Sequence, residues 1–178
     1  MRTLALGGIR SGKSQWAEAA IAESLTPGQS VRYLATGPTV PDDTEWSHRI
    51  AEHRSRRPAH WSTVETDDLT THLLQSPQTP TLVDDVGGWL TATLDRRGAW
   101  DDGSVSADVD KLLNAVTAFR GPLMLVSPEV GLTVVPATVP GRRFTDELGT
   151  LNQRLADLCE RVVLVVAGQA VPIKPGRP

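Results

Sequence analysis

The sequence predicts an α/β protein with a mainly parallel β-sheet and helices on both faces, in a single domain over residues 1–178. Short apolar runs alternate with segments of helical periodicity, which is the pattern of repeated βαβ units. A glycine-rich motif stands directly between the first predicted strand and the first predicted helix. The chain has the length of an ordinary domain and shows no repeat or linker that would divide it.

The N-terminal elements follow from apolar runs and their stop signals. Thr3–Leu6 is a short apolar run and is expected to be a buried strand. Lys13–Leu25 has helical periodicity and ends before Pro27 and Gly28, which stop helices. Val31–Ala35 is the second predicted strand.

The middle of the chain contains shorter elements. Thr44–Arg54 is predicted as a helix, because Trp46, Ile50 and His53 recur at helical spacing. Pro58 ends this helix. The elements expected next are a short strand, Ser62–Val64, and a short helix, Leu69–Leu74.

Two strands and two helices are predicted between residues 81 and 126. Thr81–Val86 is a strand that contains two aspartates near its end, and Pro122–Val126 is a second apolar run. The predicted helices between them are Trp89–Leu94 and Val105–Phe119, separated by turn-forming and acidic residues.

The C-terminal region begins with a predicted loop. Ser127–Arg143 carries three prolines and two glycines, and loops of that length are usually functional or mobile. Phe144–Leu158 is the clearest amphipathic helix, and Val162–Ala167 is the last predicted strand. The proline-rich tail Pro172–Pro178 is expected to be frayed.

Composition narrows the class of protein. The formal net charge is −3, from 18 Lys and Arg against 21 Asp and Glu, which disfavours a nucleic-acid partner. The one cysteine, Cys159, forms no internal disulfide and is expected to be a packed thiol. No apolar stretch approaches the ~20 residues needed to span a bilayer. We therefore expect a cytoplasmic protein.

The strongest motif is a phosphate-binding loop. It reads Gly7-Gly8-Ile9-Arg10-Ser11-Gly12-Lys13-Ser14 and matches G-x-x-x-x-G-K-[ST] in full. Glycines allow the backbone N–H groups to point at phosphate oxygens, and the following helix adds its positive end. Lys13 is expected to reach the β- and γ-phosphates, and the Ser14 hydroxyl to bind Mg²⁺. The alternative is a glycine turn with a chance lysine.

A carboxylate at the end of a neighbouring strand would complete this site. Asp84 is the preferred candidate for the Mg²⁺-linked role, and Asp85 is the second choice. The alternative is that both cap the end of the strand and face water.

The segment from Arg49 to Pro58 holds four arginines and His53. Arginine forks suit phosphates, but a solvated helix end explains them equally simply. His53 is either a packed histidine or a nucleophile toward an α-phosphate. The other histidines show no metal-ligand spacing, so no zinc site is predicted.

Several blocks of sequence together resemble a known family, that of the bifunctional adenosylcobinamide kinase / adenosylcobinamide-phosphate guanylyltransferases of cobalamin biosynthesis. The resemblance runs nearly end to end. Besides the glycine loop, it rests on Tyr33-Leu34-Ala35-Thr36, Arg49-Ile50, His53-Arg54, Arg57-Pro58, Trp61, Glu65, Leu82-Val83-Asp84, Trp89-Leu90-Thr91, Glu129-Val130-Gly131, Val135-Pro136, Phe144, Asp146, Gly149, Asn152-Gln153 and Val165-Val166-Ala167-Gly168.

The resemblance implies a P-loop α/β sheet of the RecA-like type, a trimeric assembly and two reactions. ATP or GTP first phosphorylates the aminopropanol hydroxyl of adenosylcobinamide, and GTP then delivers GMP to that phosphate. His53 matches the position of the GMP-histidine intermediate, and Lys13 would offset phosphate charge. The nucleotide contacts that carry over are Gly7 to Ser14, Ala35, Thr36, Gly37, His53, Arg54, Ser55, Arg56, Glu65 and Asp84, with Mg²⁺ at Ser14 and Asp84.

Two other functions remain open at this stage. One is a P-loop kinase of another small-molecule hydroxyl, in which His53 is structural. The other is a nucleotide-binding regulatory module with little turnover. Glu129 stands as an unassigned candidate that is either catalytic or an anchor of the long loop.

Overall fold

The structure is a computed structural model that describes residues 1–37 and 57–175. Seven strands form one sheet in the order β3-β2-β4-β5-β1-β6-β7, and all neighbours are parallel except β6 and β7. The strands are β1 (Arg2–Gly7), β2 (Arg32–Ala35), β3 (Ser62–Glu65), β4 (Thr81–Asp84), β5 (Leu123–Pro128), β6 (Arg161–Val166) and β7 (Gln169–Lys174).

Five helices are described. They are α1 (Lys13–Glu23), α2 (Leu69–Gln75), α3 (Val86–Arg97), α4 (Ser106–Ala118) and α5 (Val139–Leu158). The predicted helix Thr44–Arg54 lies outside the described residues. None of the helices within 1–37 and 57–175 is long and apolar enough to cross a membrane.

Each core strand sends alternate side chains to two separate cores. Leu4 and Leu34 contribute to a core with residues of α2, α3, α4 and α5, whereas Ala5 and Tyr33 face the opposite side with α1. This alternation is the two-residue period of a β-strand. The sheet is therefore buried on both faces, as the apolar runs predicted.

Helix α5 confirms the amphipathic prediction. Its buried side chains are Leu148, Leu151, Asn152 and Leu155, with Phe144 packed against the same core. Asn152 is held because its side-chain oxygen accepts from Ser127 Oγ at 2.6 Å and its nitrogen donates to the Pro128 carbonyl at 2.9 Å. The helix is thereby fixed to the end of β5.

The predicted loop Ser127–Arg143 is wrong at both ends. Strand β5 continues to Pro128, and α5 begins at Val139. The Thr138 hydroxyl accepts from Gly141 N at 3.2 Å and caps the helix. Pro140 then lies in the first helical turn, where a missing N–H costs nothing. Pro140 therefore belongs to the start of the helix, and the loop between β5 and α5 comprises residues 129–138.

The predicted frayed tail Pro172–Pro178 is also wrong over its first part. Residues Gln169–Lys174 form β7, paired antiparallel with β6. Ala167 (φ 50°) and Gly168 (φ 77°) make the two-residue connection, and positive φ at both positions suits the twist of a hairpin. Pro172 is tolerated because β7 is an edge strand.

Strand β4 is shorter than predicted. It ends at Asp84, not Val86, because Asp85 caps α3 and Val86 already belongs to that helix. The parallel strands β1 to β5 all end at one edge of the sheet, so Gly7, Ala35, Glu65 and Asp84 are brought to a common side.

Candidate functional site

The glycine-rich loop connects β1 to the first turn of α1. Arg10 (φ 56°) and Gly12 (φ 88°) both adopt left-handed conformations, which turn successive backbone N–H groups inward as in anion-binding nests. The Ser11 carbonyl accepts from Gly168 N at 2.8 Å, so the β6–β7 turn braces the loop. Lys13 Nζ donates to the Gly8 carbonyl at 3.3 Å and therefore lies across the loop.

Close packing explains why the first residue of the motif, Gly7, is a glycine. A Cβ at Gly7 would lie 2.4 Å from Ser11 Oγ and 2.8 Å from the Val165 carbonyl. A side chain at this position would therefore push the loop away from β6. Residues 7–14 thus form the compact strand–loop–helix unit that the motif predicted.

Ser14 and Asp84 come together although 70 positions separate them in the sequence. Ser14 Oγ donates to Asp84 Oδ1 at 3.1 Å. The other oxygen of Asp84 accepts a hydrogen bond from the Tyr33 hydroxyl. Since β5 lies between β1 and β4 in the sheet, this contact reaches across one strand.

The carboxylate of Asp85 has different hydrogen-bond partners from that of Asp84. Its Oδ1 accepts from Gly88 N at 2.8 Å, which caps α3. Burial, with the negative charge of Asp84 beside it, raises the pKa of Asp85 to about 6. Its backbone N–H donates to Thr36 Oγ1 at 2.9 Å. The structure thus separates two adjacent aspartates into one that reaches Ser14 and one that caps a helix.

Tyr33 and Arg57 join the site, although the sequence analysis did not count them among the predicted site residues. The Arg57 guanidinium carbon lies 3.3 Å from the centre of the Tyr33 ring, and its Nε lies 3.6 Å from Glu18 Oε1. Tyr33 in turn contacts Asp84. Arg57 therefore packs against the ring whose hydroxyl holds the aspartate beside Ser14. An aromatic residue on β2, one strand from Asp84, was the signal available in the sequence.

A cleft of about 440 Å³ opens beside β2, β3 and α3. Its lining includes three of the predicted nucleotide contacts, Thr36, Gly37 and Glu65. Carboxylates and hydroxyls supply its polar side-chain groups. The lining residues are Thr36, Gly37, Glu65, Thr66, Asp67, Gly88, Thr91, Ala92 and Asp95. Ala35 ends β2 directly before this cleft.

Four predicted site residues, His53, Arg54, Ser55 and Arg56, lie outside the described residues. Gly37 and Arg57 bound that segment, and both belong to the site region just described.

Glu129 anchors the loop that follows β5. Its carboxylate accepts from Gly131 N at 2.8 Å and from Leu132 N at 2.9 Å. Its own N–H donates to the Gly7 carbonyl at 3.1 Å. Of the two roles left open by the sequence, these contacts support the anchor.

The expectation that Cys159 is a packed thiol is confirmed, because its side chain is buried. Burial raises the pKa of the Cys159 thiol to about 12, which makes it unreactive at neutral pH. No group of three or more potential metal-ligating side chains occurs among the described residues.

The strand order defines the class of protein. The strand before the glycine loop and the strand that carries Asp84 have β5 between them, as in P-loop NTPases of the RecA-like type. A family model described as cobinamide kinase / cobinamide phosphate guanyltransferase matches residues 3–173. The chain belongs to this family.

Two curated relatives are similar to this chain over nearly its whole length. The bifunctional adenosylcobalamin biosynthesis protein CobP of Pseudomonas aeruginosa is 43% identical over 178 residues, covering 98% of each chain. The bifunctional adenosylcobalamin biosynthesis protein CobU of Escherichia coli is 36% identical over 188 residues, covering 98% of this chain and 100% of the relative.

A solved structure, the P4 protein of bacteriophage phi6 in complex with ADP, is similar to this chain with a TM-score of 0.47 at 17% identity. The match covers 96% of this chain, which spans 53% of the length of that protein.

Proposed function

We propose that this protein catalyses two successive reactions on a corrinoid. ATP or GTP phosphorylates the aminopropanol hydroxyl of adenosylcobinamide, and GTP then transfers GMP to the resulting phosphate. The products of the second reaction are adenosylcobinamide-GDP and pyrophosphate. The observation that carries the proposal is the Ser14–Asp84 contact beside a complete P-loop, in a chain that belongs to the cobinamide kinase / cobinamide phosphate guanyltransferase family.

The residues of the P-loop account for the kinase reaction. The backbone N–H groups of residues 7–14 and the start of α1 would hold the β- and γ-phosphates. Lys13, which lies across the loop, would offset the charge that develops on the transferred phosphoryl group. The acceptor hydroxyl then attacks the γ-phosphorus, and the bond to the β-phosphate oxygen breaks.

The donor set fits Mg²⁺. Ser14 Oγ and Asp84 Oδ1 lie 3.1 Å apart and offer hard oxygen ligands, and Mg²⁺ usually takes one or two protein oxygens with phosphates and water completing its shell. When bound, the ion would neutralise charge on the bridging phosphates. Tyr33 would keep Asp84 oriented toward Ser14, since it holds the other carboxylate oxygen.

We assign the guanylyl transfer to His53. The imidazole attacks the α-phosphorus of GTP, pyrophosphate leaves, and a phosphoramidate bond joins GMP to the ring. A phosphate oxygen of adenosylcobinamide phosphate then attacks the same phosphorus, and the P–N bond breaks. Arg54 and Arg56 would offset the phosphate charge.

The cleft lined by Thr36, Gly37 and Glu65 supports a guanine-nucleotide site. Its carboxylates, including Glu65, are acceptors that suit the N–H groups of a guanine base. Ala35, Thr36 and Gly37 run from β2 into its wall. Ser55 belongs to the same proposed set. We further propose a cytoplasmic homo-oligomer, a trimer by family resemblance, with nucleotides and a corrinoid as its small-molecule partners.

The deciding experiment is covalent labelling with GTP that carries radioactive α-phosphate, in the presence of Mg²⁺. After denaturation, we expect an acid-labile and base-stable adduct on the wild-type chain and none on His53→Ala. The matched control is His60→Ala, which removes an exposed histidine close in sequence. It should label as the wild type does.

A parallel assay follows the label from the γ-phosphate of ATP or GTP into adenosylcobinamide. Corrinoid phosphorylation without any GMP adduct would overturn the transferase assignment and indicate a P-loop kinase alone. Binding of GTP with neither adduct nor phosphorylated corrinoid would refute the whole proposal.

A further inference from the structure

Arg57 is a charged residue whose side chain is buried against the sheet. The side chain is 8% exposed, and that of its ion-pair partner Glu18 on α1 is 11% exposed. Its Nε lies 3.6 Å from Glu18 Oε1, its Nη1 donates to Thr63 Oγ1 of β3 at 3.1 Å, and its guanidinium carbon lies 3.3 Å from the centre of the Tyr33 ring. Contacts on three elements therefore fix the position of the guanidinium.

Tyr33 connects this guanidinium to the proposed metal ligand. Tyr33 and Thr63 are partners in the register of β2 and β3, so their side chains leave the same face of the sheet. The Tyr33 hydroxyl donates to Asp84. Burial, and the negative charge of Asp84, raise the pKa of Tyr33, so the hydroxyl is a proton donor at neutral pH. One oxygen of Asp84 is thus held by Tyr33, and the other accepts from Ser14 Oγ.

These contacts form a closed circuit that begins and ends on α1. Ser14 and Glu18 are four residues apart on this helix and therefore share one of its faces. The circuit runs from Ser14 to Glu18 by way of Asp84, Tyr33 and Arg57. It joins α1, β2 and β4 around the Asp84 carboxylate.

Stability alone is a poor explanation for a buried ion pair at this position. Removing two charges from water is costly, and apolar side chains of similar volume often stabilise a fold as well or better. A metal ligand, in contrast, needs partners that fix its orientation, and loss of such a partner commonly lowers metal affinity by about 10- to 100-fold. The guanidinium covers one face of the Tyr33 ring and so limits the positions that are open to its hydroxyl.

We propose that Arg57 is a positioning residue for the divalent cation beside the P-loop: stacked on Tyr33, it holds the Asp84 carboxylate in place to bind that ion together with Ser14. Because Arg57 is buried against Glu18, it acts through the Tyr33 ring and not by contact with the phosphates. This inference rests on the proposed function, which places Mg²⁺ at Ser14 and Asp84.

The test measures the binding of Mn²⁺, which replaces Mg²⁺ and is observed by electron paramagnetic resonance. The full chain is used with α,β-methylene-GTP, an analogue that cannot donate GMP, and without corrinoid. The test variant is Glu18→Gln, Arg57→Met, which removes both charges together and leaves neither unpaired. The matched control is Arg2→Met, Glu160→Gln, which removes an ion pair of 2.6 Å at the end of β1 opposite to the P-loop.

We expect the test variant to bind Mn²⁺ about tenfold more weakly than the wild type. A fluorescent GTP analogue in EDTA should bind to both alike, because the backbone N–H groups of residues 7–14 hold the phosphates without the metal. The control should match the wild type in both measurements. Equal losses of Mn²⁺ affinity and of metal-free nucleotide affinity in the test variant would show a general structural role and overturn the inference.

A further variant tests whether Arg57 acts through Tyr33. Tyr33→Phe alone should weaken Mn²⁺ binding by a similar factor. When it is combined with the test variant, no further loss is expected, because both changes interrupt one chain of contacts. Losses that multiply would mean that Arg57 acts independently of the ring, and would overturn the inference.

Arg57→Lys keeps the inference testable if urea denaturation shows that the test variant does not fold. Lysine retains the charge opposite Glu18 but lacks the flat surface that stacks on the ring, so Mn²⁺ binding should again weaken. Wild-type Mn²⁺ affinity in either folded variant would overturn the role of Arg57 and leave the proposed function intact. A wild-type chain that binds the nucleotide but no Mn²⁺ would instead refute the metal site of the proposed function.

Discussion

Asp85 is a buried carboxylate whose replacement should stabilise the protein. It lies at the start of α3 with its Oδ1 on Gly88 N. Burial first, and the neighbouring charge of Asp84 second, raise its pKa from 3.8 to about 6. At neutral pH the folded chain therefore carries a charge that the unfolded chain solvates better. Asp85→Asn retains the oxygen acceptor for the cap and removes the charge.

The sign and size of the effect follow from linkage. The folded state holds the proton of Asp85 more tightly than the unfolded state does, so the free energy of unfolding falls as pH rises from 3.8 to about 6. At about 1.4 kcal/mol per pH unit, the loss amounts to about 3 kcal/mol. Above that window the loss is complete and constant.

The assay is urea denaturation followed by tryptophan fluorescence from pH 4 to pH 8. Asp85→Asn should match the wild type near pH 4 and exceed its free energy of unfolding by up to about 3 kcal/mol at pH 8. Asp101→Asn, at an exposed position, is the control and should follow the wild-type curve. If the curves of Asp85→Asn and the wild type run parallel, or if the variant is less stable at pH 8, the reasoning is refuted.

Three further outcomes are expected. Tyr33→Phe removes the donor to Asp84 and should lower the free energy of unfolding by about 2 kcal/mol in urea; no change would mean that water replaces the hydroxyl. Burial alone would raise the pKa of Glu160, but Arg2 outweighs it and lowers that pKa from 4.5 to about 2. Glu160→Gln should therefore cost about 1 kcal/mol at pH 7, a value reduced for solvent exposure. That difference should vanish as pH falls from 4.5 to 2, and its persistence in acid would contradict the ion-pair explanation. Gly12→Ala places a Cβ on a residue at φ 88°, 3.1 Å from the Gly168 Cα. The free energy of unfolding should therefore fall by about 1–2 kcal/mol, and a fluorescent GTP analogue should bind more weakly. Wild-type affinity would show that the loop tolerates the strain.

The sheet was predictable because its strands are buried on both faces. Such strands read as continuous apolar runs, and Thr3–Leu6 and Val162–Ala167 were found within about one residue of β1 and β6. The sequence does not predict the start of α5, because a proline among glycines is typical of a loop, whereas Pro140 occupies the first helical turn. Strand β7 was missed because Pro172 and its neighbours lack an apolar run, and only pairing with β6 makes them a strand.

The candidate site divides in the same way. The P-loop could be predicted from the sequence because its backbone geometry requires glycines at fixed spacing within a short segment. The sequence favoured Asp84 over Asp85 as the carboxylate near Ser14, although the two are chemically identical neighbours. Register decides between them: Asp84 ends β4 opposite Ala35 of β2, and Asp85 turns into the cap of α3.

The sequence by itself determined the fold class, the phosphate-binding loop and the family, because each depends on local spacing along the chain. Only the tertiary structure decided which aspartate meets Ser14 and that Tyr33 and Arg57 join that site. These contacts join positions far apart in the chain. They exist because parallel strands bring their carboxyl ends to one edge of the sheet, a condition that no local pattern encodes.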